Sequence, residues 1–508
     1  MNNDHRISRT VLSGVFALAV FLFWWLAYPQ ALGFKEQNQL FLYTWGYLGE
    51  MLSVAGGGAG YVAAFITQFF VSPVVGALLM AILLLSLQRL VWIAGGRSKT
   101  AITYVATFIP SLIALVYLGD IHVSLSLVLA VWLSMLACVI YDACKCKICL
   151  YIAIPVMLWL VGPAAWIFII YAACEQESLP GAIAVPVFGV VAAALIFIFL
   201  QKQFPLVQAA FGINYYDIPL RHPALQHLFV ISAVLFPVAS KLPAELAIDT
   251  HLASIVVFVL MCGTAFFGIT RTYDKDTYEV LAYDQLIRHE KWFDVIKRAE
   301  RYQPHNDVAC VSINLSLYMS GQKEHMDEFW QCGTDGLLMP RVRDNISNIS
   351  TGEAFWRMGL INEALRYAFD TQEAVPSKQK NPRSMMRMAE CQILNGRYEV
   401  ASKYLDILKH SLFYRKWAKA EEKFLGNEEA IYADPTYAYL LSARPADDYL
   451  FYYPQMDRVL RGQYERNKAN VMAATYCVKW LEFSMNEDES ETADDTGVHG
   501  SLPVRMYP

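Results

Sequence analysis

PQALGFKEQNQLFLYTWGYLGEMLSVAGGGAGYVAAFITQFF, residues 29–70, is the longest connection between apolar runs in this chain, and the first half of the fold is organised around it. Its mixture of acid, amide, aromatic and glycine suits neither a lipid-facing helix nor a free loop, so the stretch is expected at the membrane surface. Glu36 and Glu50 flank Phe41, Tyr43, Trp45 and Tyr47, aromatics of the kind that sit at headgroup level. A Gly56-Gly57-Gly58 break then precedes an amphipathic turn with Tyr61, Phe65 and Phe69 on one face.

Working outward, apolar runs of the length that crosses a hydrocarbon core of about 30 Å occur eight times. They cover residues 11–28, 71–93, 101–118, 121–141, 148–171, 182–200, 225–240 and 251–270. Helix is the conformation that satisfies the backbone in lipid. Charge divides the chain at the same place. Residues 1–270 hold 11 Lys+Arg and 10 Asp+Glu, which leaves 30 and 36 for the remainder from totals of 41 and 46. The first part therefore reads as a membrane domain and residues 271–484 as a water-facing domain able to bury its own core. A net charge of -5 with no basic patch argues against a nucleic-acid partner.

Loop charges set the expected topology. Arg6, Arg9, Arg89, Arg97, Lys99, Lys145, Lys147, Lys202, Arg221, Arg271 and Lys275 fall on one side of an eight-span count, whereas the opposite loops carry only Lys35 and Lys241 among cations, with Glu36, Glu50, Asp120, Glu175, Glu177, Glu245 and Asp249. Both termini are thus expected in the cytoplasm of a bacterial inner-membrane protein, with Glu36 and Asp120 outside. Pro155, Pro163 and Pro186 interrupt spans five and six and can kink them. Residues 203–222 are too polar to span and read as an interfacial helix. Ten scattered cysteines do not form a disulfide framework. Cys144, Cys146 and Cys149 make one juxtamembrane cluster, open to packing, palmitoylation or the start of a zinc site that lacks a fourth ligand.

From Thr272 onward the spacing is that of amphipathic helices. Helix-to-helix turns recur as EKWFDV (290–295), GQKEHM (321–326), GLINEA (359–364) and GRYEVA (396–401). With Gly at the turn and Ala five residues later, these resemble the tetratricopeptide repeat over roughly residues 276–410. Glu290 stands where the first turn would have Gly, and Met326 where the second would have Ala. Pro376 closes one unit. The resemblance implies an α-solenoid that binds a protein or peptide partner; a generic helical bundle is the plainer reading. Residues 485–508, opening with the acidic NEDESETADD, are expected to be a disordered tail.

The fold class is therefore all-α, a polytopic bundle of about eight spans followed by a helical-repeat domain. The residues 35–70 and NKANVMAATYCVKWLEF (467–483) together resemble a polytopic membrane family of Bacteroidota, which implies no activity. A more distant likeness is to membrane glycosyltransferases of the GT-C fold, whose long first outer loop carries an acid beside an interfacial helix. That likeness implies a transferase acting on a polyprenyl-linked sugar, with Glu36 as principal acid, Asp120 of LGDIHVS as a second, His122 beside it, and a divalent cation as the conceivable cofactor. Two features depart from the pattern: a lone Glu stands where the superfamily has Asp or an acidic pair, and the charge rule puts the repeats in the cytoplasm. The rival reading is a membrane-anchored scaffold without enzymatic activity, in which Glu36 and Asp120 only mark helix ends. No Ser-His-Asp grouping, phosphate-binding glycine loop or zinc-protease motif offers another chemistry.

Overall fold

The computed structural model describes residues 3–97, 100–211, 221–239, 251–304, 306–338, 344–375, 379–445 and 455–495, and among these there is helix but no strand. Seven helical stretches are long and apolar enough to cross a membrane, namely Ser8–Ala27, Pro73–Ala94, Ala101–Leu118, Ser126–Cys144, Lys147–Cys174, Leu179–Leu200 and Ser254–Thr272, of which Lys147–Cys174 is broken at Gly162. This is an integral membrane protein. The expected run 225–240 is the shorter apolar helix Pro223–Ala239. Contacts separate the chain into two compact units, one up to Asp274 and one from Lys275 onward.

Span 148–171, read from the sequence as one crossing, is instead a helical hairpin. Helix Lys147–Val161 stops at Gly162, whose φ of 63° and ψ of -143° suit a residue without a Cβ. A 3-10 turn, Gly162–Ala164, follows, and helix Ala165–Cys174 runs back. Both ends then lie together: Lys145 before the hairpin sits 3.2 Å from Glu175 after it. The Tyr171 hydroxyl also donates to the Ala94 carbonyl at 3.0 Å. The tip packs on the first loop. Gly56 N–H donates to the Trp159 carbonyl at 2.8 Å, and a Cβ on Gly58 would lie 2.9 Å from the Leu160 carbonyl oxygen. The glycine triplet is thus a site of backbone approach. Beside it Phe41 is buried among Tyr43, Tyr47, Tyr61 and Phe65, while Trp45 is exposed.

Contacts at the two ends of one span show where the chain enters and leaves the bundle. At the start of span Ala101–Leu118, the Tyr104 hydroxyl meets Ser13 at 2.6 Å. Arg9 lies over the rings of Trp92 and Tyr104. At the far end of the same span, Thr272 Oγ1 donates to the Val116 carbonyl at 3.1 Å and Tyr28 to the Gly119 carbonyl at 2.9 Å. The chain therefore enters the bundle at one end and leaves it at the other. The fold-back at Gly162 returns the chain to the end from which the hairpin began, a turn that hydropathy alone merges into one run. Lys241, Glu245 and Asp249 lie outside the described residues. Of the expected interfacial helix 203–222, Leu206–Phe211 is helical and residues 212–220 lie outside the description.

The second unit is built of short amphipathic helices capped by side chains, as where Asn306 Oδ1 accepts the Ala309 N–H at 2.7 Å. Helices Ser347–Arg357 and Ile361–Ala374 pair across Gly359, and Pro382–Leu394 and Tyr398–Lys409 across Gly396. All four recurring turns place one residue in the left-handed region: Glu290 (φ 53°), Gly321 (79°), Gly359 (82°) and Gly396 (69°). Ala364 and Ala401 are fully buried. Pro376 lies outside the described residues. The last helix spans Val471–Asp495. Residues 496–508 are outside the description.

Space separates two of these glycines. A Cβ on Gly359 would lie 2.6 Å from that of Ala443, whereas one on Gly396 would meet nothing within 4 Å. Gly396→Ala should cost about 1 kcal/mol from backbone strain. Gly359→Ala should cost about 1–3 kcal/mol more from overpacking, and paired urea titrations would measure the difference.

Candidate functional site

The polar residues that meet at the exit end of the bundle come from three separate segments. Helix Pro29–Gln37 begins with Pro29 at its first position, where the missing N–H costs nothing. It buries Phe34, Lys35, Glu36 and Gln37 at its end. A buried lysine needs acceptors, and Lys35 finds them in the turn after span Ala101–Leu118. Its ammonium donates to the carbonyls of Asp120 and Val123, each at 2.7 Å, and more weakly to Ile121 at 3.4 Å. Glu36, 3 % exposed, is the next residue in that helical turn.

Asp120 organises the facing loop. Its Oδ1 accepts the backbone N–H of His122 at 2.8 Å, which tightens the turn. Its Oδ2 lies 3.1 Å from His222 Nε2 and 3.6 Å from Arg221 Nη1. The His122 ring packs edge-on against Phe34, with centroids 5.7 Å apart. Burial pushes the Asp120 carboxyl up, but the hydrogen bonds from His222 and the His122 amide, with the charges of His122 and Lys35, bring it down to about 2. Asp120 is an anion throughout the physiological range and a poor proton acceptor.

Of the three residues singled out from the sequence, Asp120 and His122 share one turn, and Glu36 stands on the helix whose Lys35 grips that turn. Lys35, Arg221 and His222 escaped the sequence reading. Lys35 left a signal as the one cation in the first outer loop. Arg221 and His222 left none, because counting the hairpin as one span assigned them to the opposite side. Among the described residues no group of three His, Cys, Asp or Glu is placed to hold a metal. The Asp120 oxygens face donors, so the arrangement is one of cations around a carboxylate. Arg221 and His222 are about one-third exposed and can also meet an outside anion.

A family model matches residues 5–483, nearly the whole of this geometry and of the helical unit after it. The chain belongs to the family of unknown function DUF6057. No curated protein and no solved structure matches it. In this DUF6057 protein an apolar cavity of about 370 Å³ opens at the same end of the bundle, lined by Leu158, Trp166, Phe197 and Leu206. Gln201 closes its polar edge and joins it to the first loop, accepting the Ala55 N–H and donating to the Ser53 carbonyl.

Proposed function

We propose that this protein is a transferase acting at the outer face of the membrane on a lipid-linked, phosphate-bearing sugar, in the manner of GT-C glycosyltransferases. The observation that carries the reading is the convergence of helix Pro29–Gln37, the 120–123 turn and the partly exposed Arg221–His222 pair into one polar cluster at the bundle's exit end. Glu36 is the acid assigned to take the acceptor's proton. Asp120 positions Arg221 and His222, and these with His122 receive the phosphate. The cavity lined by Trp166 and Phe197 suits the hydrocarbon of a polyprenyl chain.

Sidedness supports the same reading. Arg9, Arg89, Arg97, Lys145 and Lys147 gather at the end where the chain enters, which by the cation rule is the cytoplasmic end. The exit end holds Lys35 and Arg221, committed to carbonyls and to Asp120, and also Lys202 and Arg271, so the excess of cations at the entering end is what carries the assignment. The N-terminus is then cytoplasmic and the chain leaves toward the outside of an inner membrane.

A second reading, the anchored scaffold, draws on the paired helices of residues 347–409, whose left-handed turn glycines and buried alanines suit tetratricopeptide-like repeats with a protein partner. One experiment separates the two. Glu36→Gln keeps shape and removes basicity, so transfer from a polyprenyl-linked sugar should cease while the protein remains folded and inserted. Envelope glycans of that strain should match those of a deletion strain. Unchanged glycans in the Glu36→Gln strain, with a defect only on removal of residues from Lys275 onward, would instead favour the scaffold.

A further inference from the structure

We propose that Cys310 and Cys332 form a disulfide, made outside the membrane by exchange with a disulfide-bearing protein oxidant. The proposal rests on the sidedness given above, in which residues after Thr272 lie in a compartment where thiols are oxidised.

The geometry is that of a pair waiting to be joined. Cys310 is fully buried on helix Asp307–Met319, and Cys332, partly exposed, ends the 3-10 stretch Lys323–Cys332. A Cβ built on Gly336 would lie 2.2 Å from Cys332 Cβ and 3.0 Å from Cys310 Cβ, which puts the two cysteine Cβ atoms within about 5 Å of each other. Each thiol shifts the other as a close neighbour does, Cys310 upward and Cys332 downward from the ordinary cysteine value. The turn that carries Cys332 is fixed against the helix that carries Cys310. Gly336 N–H donates to the Cys332 carbonyl at 2.9 Å, and Asn314 Nδ2 donates to the Gly336 carbonyl at 3.0 Å. Any side chain at 336 would be driven between the two sulfurs' carbons, so glycine there permits the approach.

The other cysteines sort by place. Cys144, Cys146 and Cys149 gather at the end of the bundle where the N-terminus enters, a reducing side on this reading. Cys391 and Cys477 are buried singly on separate helices of the second unit.

Exposure assigns the order of steps. The neighbouring Cys310 holds the Cys332 thiol below its ordinary pKa, and Cys332 is the sulfur that an outside partner can reach. The Cys332 thiolate attacks the oxidant's disulfide, and one partner thiolate leaves. Cys310 then gives up its proton and attacks the Cys332 sulfur, and the second partner thiolate leaves. Two cysteine thiols are oxidised and one partner disulfide is reduced to two thiols.

The test uses the full-length protein in its own membranes. Free thiols are blocked with iodoacetamide before and after denaturation, and the protein is digested without reductant for mass spectrometry. A crosslinked pair of peptides joining Cys310 to Cys332 is expected, with Cys391 and Cys477 alkylated. In Cys310→Ser the pair should vanish and Cys332 should become alkylated; Cys332 paired with any other cysteine in the unaltered protein would overturn the assignment. A compartment reporter fused after Lys275 is read in parallel and should report the outside. Both thiols alkylated with the reporter outside overturns the disulfide and leaves the sidedness standing. A reporter inside overturns both, whatever the thiols show.

Discussion

Replacing Lys35 with methionine should destabilise the membrane bundle by about 3–5 kcal/mol, the usual cost of removing one partner of a buried charged network. Lys35 is 5 % exposed, and its ammonium serves the carbonyls of Asp120, Ile121 and Val123 together. Methionine fills the same space but donates nothing, so buried carbonyls lose a charged donor and Asp120 loses a neighbouring positive charge. The loss falls on a turn that connects two spans, which makes it global rather than local. Thermal unfolding in detergent, followed by tryptophan fluorescence, would measure it. Lys202→Met is the control, since Lys202 is exposed. Equal midpoints for the two variants would show that Lys35 does not hold the turn. Its loss should also remove whatever activity the cluster has, because Asp120, Arg221 and His222 depend on that turn for their positions.

The second large effect is expected in the helical unit. Glu353 accepts from Arg357 Nε at 3.0 Å and from Arg387 Nη2 at 2.8 Å. Arg387 lies 4.0 Å over the Trp356 ring, and Arg357 reaches Glu290 at 2.7 Å. One carboxylate thereby ties helix Ser347–Arg357 to Pro382–Leu394, and through Arg357 to the turn at Glu290. Glu353→Gln keeps the shape and leaves two guanidinium groups facing a neutral amide, so a loss of about 3 kcal/mol is expected. Burial raises the Glu353 pKa, but Arg387, Arg383 and Arg357 outweigh it and hold the group at about 2. The folded value lies below the ordinary 4.5. The ionised form therefore stabilises the fold above about pH 4.5, and this contribution is lost as pH falls toward 2. Urea midpoints between pH 5 and 2.5 should fall steeply for the parent protein and less steeply for Glu353→Gln. Parallel slopes would show that another carboxylate governs the acid limb.

The same arginine cluster shows where sequence reading stops. The left-handed residue at each recurring turn was legible at Gly321, Gly359 and Gly396, because glycine is the residue that adopts φ > 0 without penalty. It was not legible at Glu290, which takes φ 53° while its carboxylate pairs with Arg357, 67 residues away. A partner that distant in sequence leaves no local pattern.

Local chemistry decided most of what the sequence could reveal. Apolar runs must be helical in lipid, amphipathic spacing must bury one face, and a charge shift separates the two parts; these are properties of short windows, and each was readable as such. Asp120 and His122 were also found this way, since an acid and a histidine in a short turn between spans stand out against their surroundings. The tertiary structure alone decided the fold-back and partnership. Whether Gly162-Pro163 kinks a span or reverses it depends on the room that Gly56 and Gly58 leave for Trp159 and Leu160, a contact across about a hundred residues. That single reversal moves Arg221 and His222 to the side of Asp120 and the exit of the chain to the end opposite its entry. Hydropathy cannot register it, because a hairpin and a straight span bury the same residues in the same apolar medium and differ only in which ends meet.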